Sequence, residues 1–387
     1  MQNVKIAYAL SFLWRSWFWL GVWVFYYLRF TDYAGIGFLE AVMITTSTLG
    51  EIPTGTIADI LGKKKAVILA FVLGAAGNLL MAFAPHYWVL IASIITMTLG
   101  GAFYSGSLEA LVYDSLKEQG REGDFQKILG RMNSMQNAGM AVAGITGGYL
   151  YQLHTSLPFV LVAVAYCVGL VLSLGLSEPI IDSEKYSWRK FVSQNKVGFN
   201  QLFPSRKITF MVLMFIVPSA FMVATENVLN DATAIELGYN SVQFGIFATS
   251  LYLFGIIISE KSDWIIKSVG SKYIYGSIIT IYVATLILIP SVAIVAGTTL
   301  LLLRYGVQTI FDNYQSVRIN TVIESKYRAT SLSTFNLMRN MPYVFGATGI
   351  GVLMNVYTAK GFSVYFGLAL LGSIGVIYFT RLLFKRS

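Results

Sequence analysis

Charge, cysteine and histidine are all scarce in this sequence. Only 12% of its 387 residues are Asp, Glu, Lys or Arg, well below the roughly 25% typical of soluble domains, which argues against a water-soluble fold. The one cysteine, Cys167, lies inside an apolar run, so neither a disulfide framework nor a thiolate metal site is available. His86 and His154 fall in short connections, which excludes a histidine proton relay within the apolar runs.

Long apolar runs recur along the whole chain. Hydrophobic residues make up 56% of the sequence, and the mean hydropathy is +0.64. A helix needs about 20 mostly apolar residues to cross a bilayer. The net charge of +9 comes from basic residues between these runs rather than from an aromatic-interleaved patch, so we expect no nucleic-acid partner. The composition predicts an all-α membrane protein embedded in the lipid bilayer.

The apolar runs and their breakers predict twelve transmembrane helices in two six-helix bundles. The hydrophilic stretch from Ser177 to Lys207 divides the chain into an N-terminal bundle (1–177), a cytoplasmic linker (178–206) and a C-terminal bundle (207–387). A shift of 203 residues places Glu109 on Asp312, as a 6+6 repeat predicts. The predicted spans are 5–28, 34–58, 66–84, 88–114, 127–150, 156–177, 207–229, 240–260, 271–289, 292–316, 329–355 and 361–384.

Lysine and arginine set the predicted orientation. With both termini in the cytoplasm, the outer loops contain only Arg29 and Lys360, and the other loop cations are inside. We therefore predict cytoplasmic termini and a multi-pass protein of the cell membrane, plasma or inner. Residues 188–207 mix lysines with Trp and Phe. They form either a helix on the inner leaflet or an irregular tether, and both alternatives stay open.

The connection between predicted helices 2 and 3 contains Gly55, Asp59, Gly62, Lys63 and Lys64. It resembles the loop signature G-x-x-x-D-x-x-G-x-[RK]-[RK] of the major facilitator superfamily of secondary transporters. Its position between two apolar runs, on the predicted inner side, supplies the context that such a motif needs. The resemblance implies a cytoplasmic latch that favours the outward-facing state.

Predicted helix 5 carries small residues at regular spacing, which allow close packing with a neighbouring helix. The pattern resembles the family's antiporter signature G-x8-G-x3-G-P-x2-G-G, although Ala143 replaces a glycine and Gly144 the proline. The likeness is therefore to drug/proton antiporter-like bacterial members. The glycines concerned are Gly130, Gly139, Gly144, Gly147 and Gly148.

In the family, helices 1, 4, 7 and 10 line a central cavity, and here each carries an ionisable residue. Charged groups inside a membrane are costly and indicate functional sites. Polar residues of helix 10 recur at helical spacing and form one stripe, and Arg15 and Trp19 share a helix face. The resemblance implies a substrate and proton cavity made of Arg15, Trp19, Glu109, Tyr113, Glu226, Arg304, Gln308, Asp312, Asn336 and Arg339.

The alternative for such groups is that they pair with one another and hold neighbouring helices together, which we favour for Glu51, Asp114 and Arg131. Arginine stays protonated, so a proton carrier must be a carboxylate, and Glu109 and Asp312 are the candidates. The interior holds four arginines against four carboxylates, and this balance selects no substrate.

Two functions therefore remain open. The first is proton-coupled export of an amphipathic organic small molecule by alternating access. The second is uptake or exchange of a small organic anion bound by the arginines. A membrane enzyme or a receptor lacks support, since the sequence has neither a phosphate-binding GxxxxGK[ST] loop nor a metal-ligand cluster. We expect no catalytic residue, cofactor or metal, and a monomer.

Overall fold

The regular elements of the protein are helices wherever the structure describes them. A computed structural model describes residues 2–179, 188–323 and 328–386. Side chains at 51–53, 55–60, 188–192, 194, 195, 329 and 383–386 lie outside the description. The α-helices are α1 (Gln2–Trp14), α2 (Trp23–Tyr27), α3 (Tyr33–Leu61), α4 (Lys63–Ala82), α5 (Tyr87–Tyr104), α6 (Ser107–Lys117), α7 (Phe125–Leu153), α8 (Leu157–Leu174), α9 (Trp188–Leu202), α10 (Arg206–Ala224), α11 (Asn230–Glu236), α12 (Ser241–Val269), α13 (Ile274–Leu288), α14 (Ile294–Asn320), α15 (Arg328–Tyr357) and α16 (Ala359–Arg386).

Eight helical segments of the described residues are long and apolar enough to cross a membrane. The other four predicted spans fall on α1 with α2, on α3, on α7 and on α15. As membrane crossings these four stay predictions, and so do the cytoplasmic termini. The eight segments are Lys63–Ala82, Tyr87–Lys117, Leu157–Leu174, Arg206–Glu236, Ser241–Val269, Ile274–Ser291, Ile294–Asn320 and Ala359–Leu382.

Three of the predicted spans are not continuous α-helices. The span predicted at 5–28 is not one helix, because α1 ends at Trp14 and α2 begins only at Trp23. The span predicted at 88–114 is divided into α5 and α6 at Gly106, whose φ of 76° is a conformation that glycine adopts without strain. Between α10 and α11 the chain winds as a π-helix over Thr225–Leu229. Such π-segments occur frequently at functional sites.

The helices pack into two compact units. Unit 1 comprises Met1–Thr31, Leu39–Phe191 and Asn240–Thr249. In unit 1, α4 packs against α5 and α8, and α1 packs against α7. The core of this unit holds Trp14 stacked between the rings of Tyr104 and Tyr166, at centroid distances of 4.1 and 4.9 Å.

Unit 2 comprises Asp32–Phe38, Val192–Tyr239 and Ser250–Ser387. In unit 2, α10 packs against α15 and α16, and α13 packs against α14 and α16. The start of α3 belongs to unit 2 because it lies close to α15, where the Asn355 Oδ1 atom accepts a hydrogen bond of 3.1 Å from the Tyr33 amide. The domain boundaries at 177 and 207 stay a prediction.

Candidate functional site

Unit 2 holds a carboxylate within the π-helical segment that follows α10. The Glu226 carboxylate accepts a hydrogen bond of 3.0 Å from the side-chain amide of Gln308 on α14. The Glu226 side chain has exposed surface, whereas the Gln308 Oε1 atom is buried and finds no hydrogen-bond partner among the described residues. An amide presents a donor and an acceptor on one group. If the amide rotates, Gln308 can donate a hydrogen bond to the ionised Glu226 carboxylate or accept one from its protonated form.

A second carboxylate lies one turn further along α14. The Arg339 guanidinium on α15 donates a hydrogen bond of 3.2 Å to Asp312, and the two side chains are 24% and 40% exposed. The Arg339 Nε atom is buried and has no partner among the described residues. Asn336, one turn before Arg339, has an exposed side chain. The Arg339 guanidinium therefore has a hydrogen-bond donor, the Nε–H group, that Asp312 does not occupy.

Arg304, one turn before Gln308 on α14, has no exposed surface at all. Its guanidinium donates to the hydroxyl and the backbone carbonyl of Thr285 at 3.1 and 2.9 Å, and to the Asn230 side-chain oxygen at 2.9 Å. All three acceptors are neutral. We expected Arg304 to line an open cavity. In this structure it is instead enclosed by neighbouring helices, because α13 and the start of α11 supply acceptors on its side of α14.

In unit 1, Arg15 lies directly after the end of α1. Its guanidinium is stacked over the Trp17 ring at 4.3 Å, and Trp17 is stacked on Trp19 with the centroids 5.2 Å apart. The Trp17 indole donates a hydrogen bond of 3.0 Å to the Tyr166 hydroxyl. The helix face that we predicted for Arg15 and Trp19 does not form, because the helix stops at Trp14. Ring stacking organises these side chains instead.

The remaining predicted cavity residues of unit 1, Glu109 and Tyr113, lie on α6. Glu109 is in the first turn of this helix, just after the break at Gly106, and both side chains are exposed. The Tyr113 ring lies edge-on to Phe125, with the centroids 5.1 Å apart. Neither residue belongs to the stack around Trp17.

The glycine-and-lysine loop lies between α3 and α4. Gly62 has a φ of 97°, and the next two backbone amides, of Lys63 and Lys64, donate to the two Glu178 carboxylate oxygens at 2.6 and 2.7 Å. The Lys63 ammonium pairs with Asp114 at the end of α6, so Asp114 forms the interhelical ion pair that we expected. Gly55 and Asp59 lie in the last turns of α3, and the Asp59 side chain is outside the described part of the chain.

The small residues of α7 lie where other backbone segments come close. A methyl group on Gly139 or Gly147 would overlap the carbonyl oxygen of Phe12 or Phe18, and one on Gly148 would overlap Ser241 at the start of α12. Gly144 lies against Thr249 and Gly245 of the same α12 segment. Gly130 differs, since a methyl group there would meet open space.

The family that the loop motif indicated is also the one found when the sequence is compared with known protein families. Residues 6–347 match the profile described as Major Facilitator Superfamily. The chain belongs to the major facilitator superfamily. This is a family of multi-pass membrane transporters, not of enzymes.

Relatives within the family include drug-resistance proteins. The chain is 24% identical to the uncharacterized MFS-type transporter YxaM of Bacillus subtilis over 189 residues, covering 46% of each chain. It is 23% identical to multidrug resistance protein 1 of B. subtilis, covering 57% of this chain and 55% of that protein. For the quinolone resistance protein NorA of Staphylococcus aureus the identity is 23%, with 61% and 64% covered. The matches thus span about half to two thirds of these relatives.

Solved structures show the same fold. The nucleoside transporter NupG superposes with a TM-score of 0.77 at 18% identity, covering 100% of this chain and 98% of that one. The POT family transporter PepTSo superposes with a TM-score of 0.72 at 10% identity, with the same coverage. At these identities the likeness concerns the fold alone.

Several residues that organise the site were not identified from the sequence. Thr225, Asn230, Tyr282 and Thr285 hold the π-helical segment and Arg304, and Glu178 caps α4. The i, i+3 spacing of Tyr282 and Thr285 in an otherwise apolar run is a signal that indicates a polar contact on one face of α13. Glu178 carries no comparable signal, because its partners are backbone amides 115 residues earlier in the chain.

Proposed function

We propose that this transporter exports amphipathic organic small molecules in exchange for protons, and that it works by alternating access. The observation that carries the proposal is the pair of carboxylates of unit 2, Glu226 and Asp312. Both lie within apolar helical segments and both retain exposed surface. Proton coupling needs carboxylates that reach water and can change charge inside the membrane.

Glu226 is suited to bind and release a proton. Its described hydrogen-bond partner is the neutral Gln308 amide, which can donate to the ionised carboxylate and accept from the protonated one. Among the described residues Glu226 has no direct ion pair that would have to break when it is protonated. The geometry thus favours Glu226 over the two carboxylates that the sequence suggested, Glu109 and Asp312, which stay predictions for the same role.

Asp312 is suited to control Arg339. The ionised Asp312 accepts from the Arg339 guanidinium, so a change in the charge of Asp312 alters what Arg339 binds. The aromatic stack of Arg15, Trp17 and Trp19 offers ring faces to an amphipathic substrate. Export is further supported by the relatives named for multidrug and quinolone resistance.

Transport into liposomes under a pH gradient tests the proposal. Purified protein is reconstituted, and movement of the fluorescent amphipathic dye ethidium is followed with a pH gradient and, separately, as counterflow without one. Glu226→Gln should abolish pH-driven transport and spare counterflow. Asp263→Asn is the matched control, because that exposed carboxylate on α12 pairs only at the surface with Lys267.

The same assay separates the carboxylates from one another. If Glu226→Gln keeps pH-driven transport and Asp312→Asn or Glu109→Gln loses it, the proton carrier is the residue that the sequence suggested. If all three variants keep it, none of these three carboxylates is the proton carrier. Proton coupling itself is refuted if the unaltered protein moves ethidium equally with and without the pH gradient. Loss of counterflow as well would identify the residue as a substrate ligand or as structural.

A second candidate is uptake or exchange of a small organic anion. The observation that favours it is the buried Arg339 Nε atom, which has no hydrogen-bond partner among the described residues. Arginine presents several donors in one plane and binds carboxylates in bidentate fashion. Fluorescein, an aromatic carboxylate, replaces ethidium in the same assay. Transport of fluorescein that Arg339→Lys abolishes would favour this candidate.

Location and assembly complete the proposal. We place the protein in the cell membrane, plasma or inner, from its family and the basic residues between its apolar runs. We also propose that it acts as a monomer. Cross-linking of the protein in native membranes, with detection of the monomer mass alone, tests this.

A further inference from the structure

Arg304 is a buried cation whose described acceptors are all neutral. It lies ten residues after the start of α14, about 15 Å along the helix axis. A buried charge needs several well-placed hydrogen bonds to offset its desolvation. Here three such bonds come from just two residues, Thr285 of α13 and Asn230 at the start of α11. The guanidinium thus joins α11, α13 and α14 of unit 2.

These contacts enclose the π-helical segment at both ends. At its first residue, the Thr225 hydroxyl is hydrogen-bonded to the Tyr282 hydroxyl of α13. Directly after its last residue, Asn230 accepts from Arg304. Tyr282 and Thr285 are also joined to each other, since the Thr285 hydroxyl donates to the Tyr282 carbonyl at 2.6 Å. We call Arg304, Asn230, Thr285, Tyr282 and Thr225 the polar frame.

Glu226 is the second residue of the segment that the polar frame encloses. Its partner Gln308 is four residues after Arg304, and so lies one turn along on the same face of α14. A π-segment adds a residue to a helical turn and changes the direction of the side chains that follow. Anchoring both ends of the segment therefore determines where the Glu226 carboxylate points.

We propose that Arg304 is a positioning residue, and that the polar frame it completes holds the π-helical segment so that Glu226 stays against Gln308. The inference rests on the proposed function, in which Glu226 carries the proton. It assigns Arg304 no contact with substrate. Its charge and its planar set of donors serve the backbone segment that carries Glu226.

Other charged and titratable groups also act on Glu226, and the experiment has to keep them unchanged. Asp312 and Tyr305 of α14, Tyr282 of α13 and Arg339 of α15 are within electrostatic range of its carboxylate. None of them is altered in the variants below. A change in the pH dependence of transport would thus come from the polar frame.

Arg304→Lys is the main variant. Lysine keeps the positive charge but offers a compact ammonium in place of the planar fork, so it cannot reach all three acceptors. We expect pH-driven ethidium transport to fall about tenfold, the effect of losing one hydrogen bond to a charged group, with its pH midpoint displaced and counterflow unchanged. Arg318→Lys, near the end of the same helix, is the matched control, because Arg318 contacts Tyr314 outside the polar frame.

Asn230 supplies a second and gentler pair of variants. Asn230→Leu removes one acceptor and should reproduce the displaced pH midpoint, while Asn230→Gln keeps a neutral amide oxygen as acceptor and should stay closer to the original one. If Arg304→Lys fails to give a monodisperse protein in size-exclusion chromatography, this pair decides. A pH profile unchanged in Arg304→Lys and in Asn230→Leu would overturn the inference.

A labelling measurement separates this inference from the proposed function. Cys167 is exposed, so Cys167→Ser gives a background without reactive thiols, and Glu226→Cys reports the position of the segment. In the Arg304→Lys background, a water-soluble maleimide should react with it about tenfold faster.

The labelling rate and the transport by Glu226→Gln together distinguish the positioning role of Arg304 from the proton role of Glu226. Faster labelling together with coupled transport by Glu226→Gln would refute the proton role and leave the positioning role standing. Unchanged labelling together with uncoupled transport by Glu226→Gln would refute the positioning role alone.

Discussion

The two units of this transporter accommodate their arginines in different ways. In unit 1, Arg15 follows the end of α1 and rests on the face of Trp17 at 4.3 Å. In unit 2, Arg304 sits inside the continuous helix α14 and is satisfied by three hydrogen bonds to neutral groups, and Arg339 donates to a carboxylate. Ring faces compensate the cation in one unit, and oxygen acceptors do so in the other.

The two kinds of contact differ in how firmly they hold the arginine. A guanidinium on a ring face keeps its donors available, and a cation–π contact contributes only about 0.5 to 2 kcal/mol. A guanidinium with three oxygen acceptors is held in one orientation, because each bond to a charged donor contributes more than a neutral one. Unit 1 therefore presents an adaptable arginine, while unit 2 uses Arg304 to fix a backbone segment and leaves Asp312 and Arg339 with exposed surface.

The largest expected effect comes from truncating the enclosed arginine. Arg304→Ala should destabilise the protein by roughly 3 to 5 kcal/mol, because it leaves buried acceptors unpaired and a cavity behind. Arg15→Ala should cost only about 1 kcal/mol, the value of one cation–π contact. Chemical unfolding in detergent measures both. Equal losses in the two variants would contradict the contrast between the units.

The next effect tests the close packing inside unit 1. Gly147→Ala should destabilise by about 1 to 3 kcal/mol and reduce transport, because the added methyl overlaps the Phe18 carbonyl and forces backbone shifts. Gly130→Ala is the matched control on the same helix and should stabilise by about 0.5 to 1 kcal/mol, since its methyl meets open space. Thermal unfolding in detergent reports the order of the two. The reverse order would show that α7 is packed differently.

A smaller effect compares two carboxylates that cap distant helices in the same manner. Glu178 accepts from the first two amides of α4 in unit 1, and Glu236 accepts from Ala359 and Lys360 at the start of α16 in unit 2. Glu178→Ala and Glu236→Ala should each cost about 1 kcal/mol. The loss should be larger for Glu236, whose bonds are partly buried. Melting temperatures of the two variants and of Glu178→Gln test this.

The smallest effect concerns an ion pair at the surface of unit 2. Lys267 and Asp263 are 75% and 74% exposed, and exposed pairs of this kind contribute little. Lys267→Ala should change the free energy of unfolding by no more than about 0.5 kcal/mol. If Lys267→Ala changes the free energy of unfolding as much as the cap variants do, the solvent exposure of these interactions does not predict their contribution to stability.

Some features of the candidate site were predictable because they are local. Gly62 with the adjacent lysines has a spacing that can be read directly from the sequence, and the structure places it in the turn between α3 and α4. Asp312 and Gln308 were predicted on one stripe of helix 10 by their spacing, and both lie beside polar groups of unit 2. Helical period is enough for such statements, because residues four apart share a face.

Other features were not predictable because they depend on neighbours. The end of α1 at Trp14 has no proline or glycine to announce it, and the side chains that follow are held by Tyr166 from α8. The burial of Arg304 depends on Thr285 and Asn230, which lie 19 and 74 residues away in the chain. No pattern along a single helix contains that information.

The sequence by itself determined that this chain is a helical membrane transporter of the major facilitator superfamily. The length of the apolar runs, the distribution of basic residues and the spacing of the loop motif are properties of the chain alone, so they can be read from the sequence without a structure. The tertiary structure decided which polar groups are satisfied and which remain open to water. Packing determines this. Whether the donors of a guanidinium such as that of Arg304 are occupied or available to a ligand depends on the oxygen atoms that other helices place within about 3 Å of it.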